Sequence, residues 1–331
     1  QMTFLTEPLT ILRVYFTLDK IAKTTGKGSQ DMKLSYLLSL LNDADPDEAR
    51  YIVKIILGTL RLGVADYTVL DALAFAKSGT KDLREVLERA YNLSGDLGLV
   101  ASTLMKEGVE AVKRIGIEIG RPIRPMLAER VSEIKEALSY MEKGCTAEYK
   151  YDGERVQIHK NGNKVTLFSR RLENITMHYP DIVKSALESI NADVAIVEGE
   201  AVAVDQDTGE FFPFQELMHR RRKYGVEEAM SMYPVTLFLF DIMFINGQQL
   251  VDLPLTERRK ILWQYVKTND KVQFATHIET QDPEKLEAFM EQAITDGCEG
   301  IMLKDITSTY RAGARGFSWI KLKRDYQSQL T

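Results

Sequence analysis

The 331 residues predict a multidomain chain: an all-α first part, 1–119, followed by an α+β second part, 120–331, built on antiparallel sheets. Three observations predict this. Apolar residues in the first third recur at helical spacing. At Gly120-Arg121-Pro122-Ile123-Arg124-Pro125 two prolines interrupt any helix. Beyond them apolar and polar residues alternate, and Asn161-Gly162 between two alternating runs is a strong hairpin signal.

In the first part, Asp45-Pro46-Asp47-Glu48 reads as a helix start, with a capping Asp, Pro in the first turn and acids near the positive end of the dipole. Ile52, Ile55, Ile56 and Leu60 follow as its apolar stripe. A further helix fits Asp66 to Lys77, with Val69, Leu70, Leu73 and Ala76 facing a core; Asp82 to Tyr91 and Leu99 to Lys106 suggest two more. In the second part, Arg155 to Lys160, Lys164 to Phe168, Val194 to Val204, Pro234 to Phe244 and Gly300 to Lys304 read as strands. Met177 to Ile190, Thr256 to Lys267 and Asp282 to Thr295 read as helices. There is no internal repeat and no low-complexity tract.

Composition excludes several function classes. A hydrophobic content of 44% is enough for two ordinary domains, and no apolar run reaches membrane-spanning length. The two cysteines, Cys145 and Cys298, are far apart, which suits a reducing, cytoplasmic setting with free thiols. The four histidines are scattered without paired-ligand spacing, so a zinc site is not expected. The net charge of -5 does not advertise nucleic-acid binding, but local clusters can still form a basic face. Ser169-Arg170-Arg171, Arg220-Arg221-Arg222-Lys223 and Lys321-Leu322-Lys323-Arg324 are the candidates; the Arg220 run reads either as a solvated face or as a contact to backbone phosphates.

The candidate chemistry centres on Glu148-Tyr-Lys150-Tyr-Asp152-Gly153-Glu-Arg155. A lysine attacks only as the free amine, and cations and carboxylates placed beside it suit attack on phosphorus. On a strand, Glu148, Lys150 and Asp152 would share a face, which suits a salt-bridge ladder as well as a nucleophile. Lys321 and Lys323 would also share a face, either as an exposed strand or around a phosphate. Glu198 and Glu200 lie in a strongly apolar strand, where two carboxylates suit a ribose, a metal or a cationic neighbour. Glu299 suits a metal or a structural pairing. Phe238 and Phe240 read first as core aromatics, with base stacking as the alternative use.

Together these segments resemble the nucleotidyltransferase superfamily of ATP-dependent DNA ligases, in its archaeal and eukaryotic replicative type. Lys150-Tyr-Asp-Gly-Glu-Arg155 resembles the family's KxDGxR motif. Ser169-Arg-Arg171, Glu198-Gly-Glu200, Phe240-Asp241, Glu299-Gly-Ile-Met-Leu-Lys304 and Trp319-Ile-Lys-Leu-Lys323 follow in the family's order. Leu57-Gly-Thr-Leu-Arg61-Leu-Gly63 resembles its helical DNA-binding domain. The resemblance implies that Lys150 takes AMP from ATP, passes it to a 5′-phosphate at a nick in duplex DNA, and that a 3′-hydroxyl then displaces it. It implies Glu148 at the adenine edge, Arg155 and Glu200 at the ribose, and Phe240 stacked on the base. Arg170, Lys321 and Lys323 would neutralise phosphates, with Lys304 near the α-phosphate. Glu299 with Asp152 would hold or orient Mg²⁺. Gly58, Thr59, Arg61 and Gly63 would contact the DNA backbone.

The resemblance further implies an oligonucleotide-binding-fold domain after Lys323 and a longer helical domain. The expectation is therefore a core fragment, a monomer impaired in full turnover. It would work in the cytoplasm, at the nucleoid in an archaeon or in the nucleus of a eukaryote. Nothing in the sequence identifies a clamp-like partner. Alternatives are an RNA ligase or mRNA-capping nucleotidyltransferase, and a DNA-binding module without catalysis.

Overall fold

A computed structural model describes residues 8–58, 63–205, 208–220 and 225–323. Contacts divide the chain into 1–69 and 70–331. The change from helices to strands falls where the prolines place it, between Lys113, the end of the last early helix, and Leu127, the first strand residue.

The first unit holds α1 (Ile11–Lys23), α2 (Ser29–Asp43) and α3 (Pro46–Ile56). Asp45 caps α3 as expected. It forms a reciprocal capping box, accepting from Glu48 N at 2.8 Å while Glu48 Oε2 accepts from Asp45 N at 3.0 Å. The expected stripe is only partly buried. Ile52 is covered, whereas Ile55 and Ile56 are exposed and Leu60 lies outside the described residues.

The second unit opens within α4 (Asp66–Ser78) and continues through α5 (Arg84–Ser94), α6 (Leu97–Glu107) and α7 (Val109–Lys113). On α4 Leu70 and Ala74 are the buried residues, and Ala76 faces out. Strands β1 (Leu127–Arg130), β2 (Cys145–Tyr149), β3 (Glu154–Asn161), β4 (Lys164–Ser169), β5 (Val194–Ala203) and β6 (Val235–Ile245) follow. They are joined by β7 (Gln248–Gln249), β8 (Val272–Phe274), β9 (His277–Glu279), β10 (Gly300–Asp305) and β11 (Arg315–Lys323). Between them run α8 (Ile134–Ser139), α9 (Pro180–Ser189), α10 (Phe214–Leu217), α11 (Val226–Met232), α12 (Leu255–Tyr265) and α13 (Pro283–Thr295).

The strands form a five-stranded sheet in the order β1-β11-β10-β2-β9 and a six-stranded path β4-β3-β5-β6-β7, plus β8 beside β6. Pairing is antiparallel except for β1 with β11 and β6 with β8. The expected β3–β4 hairpin forms, but its turn lies one residue later than predicted: Asn161 still pairs with Lys164, so Gly162 and Asn163 make the turn, Gly162 taking φ 56°. One core packs α9 and α12 on the six-stranded sheet through Ile158, Val197, Ile182 and Leu262. A second packs α8 and α13 on the five-stranded sheet through Ala147, Ile301, Leu303, Ile320 and Leu322. Met126, Ile196, Met243, Tyr310 and Trp319 form a further apolar cluster.

Candidate active site

The site follows from strand alternation. With Ala147, Ile301, Leu303, Ile320 and Leu322 committed to the core, their neighbours on β2, β10 and β11 face the other way. These are Glu148, Met302, Lys304, Trp319, Lys321 and Lys323, and all six line one cavity of about 690 Å³. Arg155 on β3, Glu200 on β5 and Phe240 on β6 line it from the second sheet, and Lys150, Asp152, Arg170 and Glu299 complete the wall. All eleven residues expected to carry nucleotide or metal chemistry thus share one cavity. Among the described residues of the expected DNA-binding loop, Gly58 and Gly63 adopt φ 63° and 71°; Thr59 and Arg61 lie outside the described residues.

Lys150 lies just past the end of β2, not within the strand, so the expected common strand face of Glu148, Lys150 and Asp152 stops at Tyr149. The ladder continues by backbone alone. Lys150 N donates to Gly300 O and Glu299 N donates to Lys150 O, both at 2.9 Å. That pairing sets the Lys150 ammonium against the Glu299 carboxylate in an ion pair. Lys323 donates to the same oxygen at 2.7 Å. Burial would raise the Glu299 pKa, but the hydrogen bonds and charges of Lys150 and Lys323 hold it below the usual carboxylate value.

Two glycines permit this arrangement. A Cβ on Gly153 would meet Ala201 O at 2.4 Å and Glu200 Cγ at 3.0 Å, so only glycine lets β3 pass so close to β5. Gly300, at φ 144°, lies so near Leu322 that a Cβ would meet its carbonyl oxygen at 2.2 Å. Asp152 turns toward the start of α10 and accepts from Phe214 N at 3.1 Å.

Most buried charges near the cavity are matched. Glu148 is 2% exposed and pairs through one oxygen with Arg259 and through the other with Lys304 Nζ at 2.6 Å. Burial lowers the Lys304 pKa, and the Glu148 charge works against that. The Lys304 ammonium also sits 4.3 Å from the Phe240 ring centroid and 4.2 Å from that of Trp319. Arg155 pairs with Glu198 at 2.7 Å and donates to Met126 O at 2.8 Å. Glu200, opposite Arg155 across β3 and β5, makes no hydrogen bond among the described residues. Burial pushes its pKa up to about 7, against the pull of Lys150 and Arg155. Phe238 is core, stacked on Tyr151 at 4.2 Å. Phe240 instead reaches the cavity.

Other cations are not matched. Arg170, Arg315 and Lys321 line the cavity, and none makes an ion pair among the described residues. Burial and the charges of Arg315, Lys150, Lys323 and Arg170 all lower the Lys321 pKa. As for a metal, no group of three or more His, Cys, Asp or Glu side chains could hold one among the described residues.

Sequence reasoning missed Arg259 and Tyr310, which hold Glu148 and Glu198, and the cavity-lining Arg315 and Met302. It misplaced Arg220. The side chain is fully buried, donates to Asp181 at 2.7 Å and lies over the Tyr179 ring, so it is not part of a solvated face; 221–223 lie outside the described residues. Among the described residues, no helix is long and apolar enough to cross a membrane.

Known proteins resemble this chain along most of its length. The family model described as "ATP dependent DNA ligase domain" matches residues 125–323, and that described as "DNA ligase N terminus" matches 1–74. A DNA ligase of Nitrosopumilus maritimus is 52% identical over 330 residues, covering 100% of this chain and 56% of that protein. A DNA ligase of Caldivirga maquilingensis is 53% identical over 326 residues, covering 98% and 54%. The chain thus spans about half the length of the curated relatives it matches. The solved structure Pmar-Lig_Pre shares the fold, with a TM-score of 0.54 and 17% identity over 98% of this chain and 65% of that one. With the family model matched over residues 125–323, more than half of its length, the chain belongs to the ATP dependent DNA ligase domain family.

Proposed function

We propose that the cavity binds ATP and that Lys150 becomes covalently adenylated, as the first step of sealing nicks in duplex DNA. The Lys150 amine attacks the α-phosphorus, the bond to the β-phosphate oxygen breaks, and pyrophosphate leaves. AMP stays on the nitrogen as a phosphoramidate. A 5′-phosphate oxygen at a nick then displaces the lysine, and finally the adjoining 3′-hydroxyl displaces AMP to form the phosphodiester. Each step is a displacement at phosphorus, governed by positioning and charge neutralisation.

The observation that carries this reading is one lysine beside a set of cavity cations, among them Arg170, Arg315 and Lys321, with no carboxylate partner among the described residues. A triphosphate supplies the missing anion. Phe240 and Arg155 suit the base and the ribose, with Glu200 beside the ribose. Glu148 keeps lone pairs free for the adenine amino group after binding Arg259 and Lys304. Bound Mg²⁺ would add charge neutralisation at the phosphates, with Glu299 as its protein ligand and Asp152 set aside on Phe214 N. The helical residues 1–119 are read as contacting the DNA backbone, with 120–331 as the adenylating domain.

Intact-protein mass after incubation with ATP and Mg²⁺ tests the reading. One AMP increment is expected with ATP and none with GTP. Lys150→Ala should lose it completely while melting like the parent. An adduct that persists in Lys150→Ala, or that forms from GTP alone, would overturn it.

A further inference from the structure

Arg155 is held from behind by two residues that do not line the cavity. Glu198 on β5 is 1% exposed, and its Oε2 accepts from Arg155 Nη2 at 2.7 Å and from Tyr310 Oη at 2.8 Å. Tyr310 is 4% exposed; its hydroxyl accepts from Met126 N at 3.1 Å and lies 3.4 Å from Arg155 Nη2. The other terminal nitrogen of Arg155 donates to Met126 O at 2.8 Å. Gln157 closes the set, its Nε2 lying 3.4 Å from Glu198 Oε1 and donating to Ile123 O at 3.0 Å. The guanidinium is thereby fixed in plane and in charge, with its carbon 5.5 Å from the Phe240 ring centroid and 5.6 Å from that of Trp319.

A buried carboxylate carrying a tyrosine hydroxyl is an expensive fixture. Stability alone would be met as well by apolar packing, as it is at the neighbouring Ile196 and Met243. What Glu198 and Tyr310 add is a single orientation of the cation that faces the cavity. A planar guanidinium binds well only when its donors point at the ligand oxygen.

We infer that Glu198 and Tyr310 are positioning residues that aim Arg155 at the 2′-hydroxyl of the bound nucleotide and so set the preference for ribose over deoxyribose. The inference rests on the reading of Arg155 as a ribose contact. Neither residue touches the nucleotide, and both act through Arg155.

Equilibrium binding of AMP and 2′-deoxy-AMP to the full chain tests it, with thermal melting run on each variant. The parent should prefer AMP. Glu198→Gln keeps the shape but removes the charge, and should cut that preference about tenfold, the worth of one charge-assisted hydrogen bond. Tyr310→Phe removes one hydroxyl and should cut it about threefold. Binding of 2′-deoxy-AMP should change less than about twofold in both. If Glu198→Gln does not fold, Tyr310→Phe decides alone. A folded variant with the parent's preference, or with both nucleotides weakened equally, overturns the inference and leaves the adenylation reading standing. A parent that binds neither nucleotide overturns that reading first, before any variant is made.

Discussion

Two sets of charges meet at the cavity, and they are treated in opposite ways. In one, Glu148 with Arg259 and Lys304, and Arg155 with Glu198, each charge has an opposite partner. In the other, Arg170, Arg315 and Lys321 have none among the described residues. Lys150 and Lys323 stand between, two ammonium groups sharing Glu299. Matched buried charge is scaffold: it shapes the wall and gains nothing from a ligand's charge. Unmatched charge marks where a ligand completes the balance. The contrast makes a division of labour testable, because disturbing the first set should cost stability, whatever it also does to an uncharged base or sugar, whereas disturbing the second should cost binding alone.

The largest effect should come from Glu148→Ala. It would strand Arg259 and Lys304, respectively 5% and 2% exposed, as two uncompensated cations. Breaking a buried pair in this way costs about 3–5 kcal/mol. Urea unfolding checks it. A loss below about 1 kcal/mol would mean that the matched set is not scaffold.

This scaffold is also where the sequence was least legible. Alternation along 300–304 and 319–323 reveals which side chains leave the core, because period two needs only local order. Arg259 is different. It lies 111 residues from Glu148, in a helix whose run Glu257-Arg258-Arg259-Lys260 looks solvent-facing, yet both arginines are buried. Arg258 makes a two-pronged pair with Asp241, at 2.8 and 2.9 Å. Nothing local signals a partner so distant. Glu198 could be read as needing a cationic neighbour, but only the register Gln157↔Glu198 and Arg155↔Glu200 brings Arg155 within its reach. Asp152 shows the limit of alternation, since β2 ends at Tyr149 and the expected face ends with it. The helical part was legible in its caps, as at Asp45, but not in what its apolar residues cover. Ile55 and Ile56 follow the spacing and yet are exposed.

Glu200 sits between the two sets and should give a smaller, pH-dependent effect. Its folded pKa of about 7 lies above the ordinary 4.5. The folded state therefore holds the proton more tightly than the unfolded one. The resulting stability is complete below the unfolded value and is lost as pH rises from there through about 7, by on the order of 3 kcal/mol. Glu200→Gln cannot titrate. The stability gap between parent and variant, measured by urea unfolding at about pH 5 and about pH 8, should move against the parent at the higher pH. A gap independent of pH would show that Lys150 and Arg155 already keep Glu200 ionised in the folded chain.

The smallest stability change should come from Lys321→Ala, and that small value is the sharper test of the contrast. Lys321 has like charges around it, Arg315, Lys150, Lys323 and Arg170, and no carboxylate partner among the described residues. Removing it relieves repulsion and loses some packing of its stem, so unfolding stability should stay within about 0.5 kcal/mol of the parent. Affinity for a triphosphate should nevertheless fall about tenfold, since a charge-assisted contact disappears. Its dependence on salt should flatten, because one fewer cation is screened. If the variant instead lost stability and bound the triphosphate as before, Lys321 would belong with the matched charges. The cavity would then lack the surplus of cations on which the adenylation reading depends.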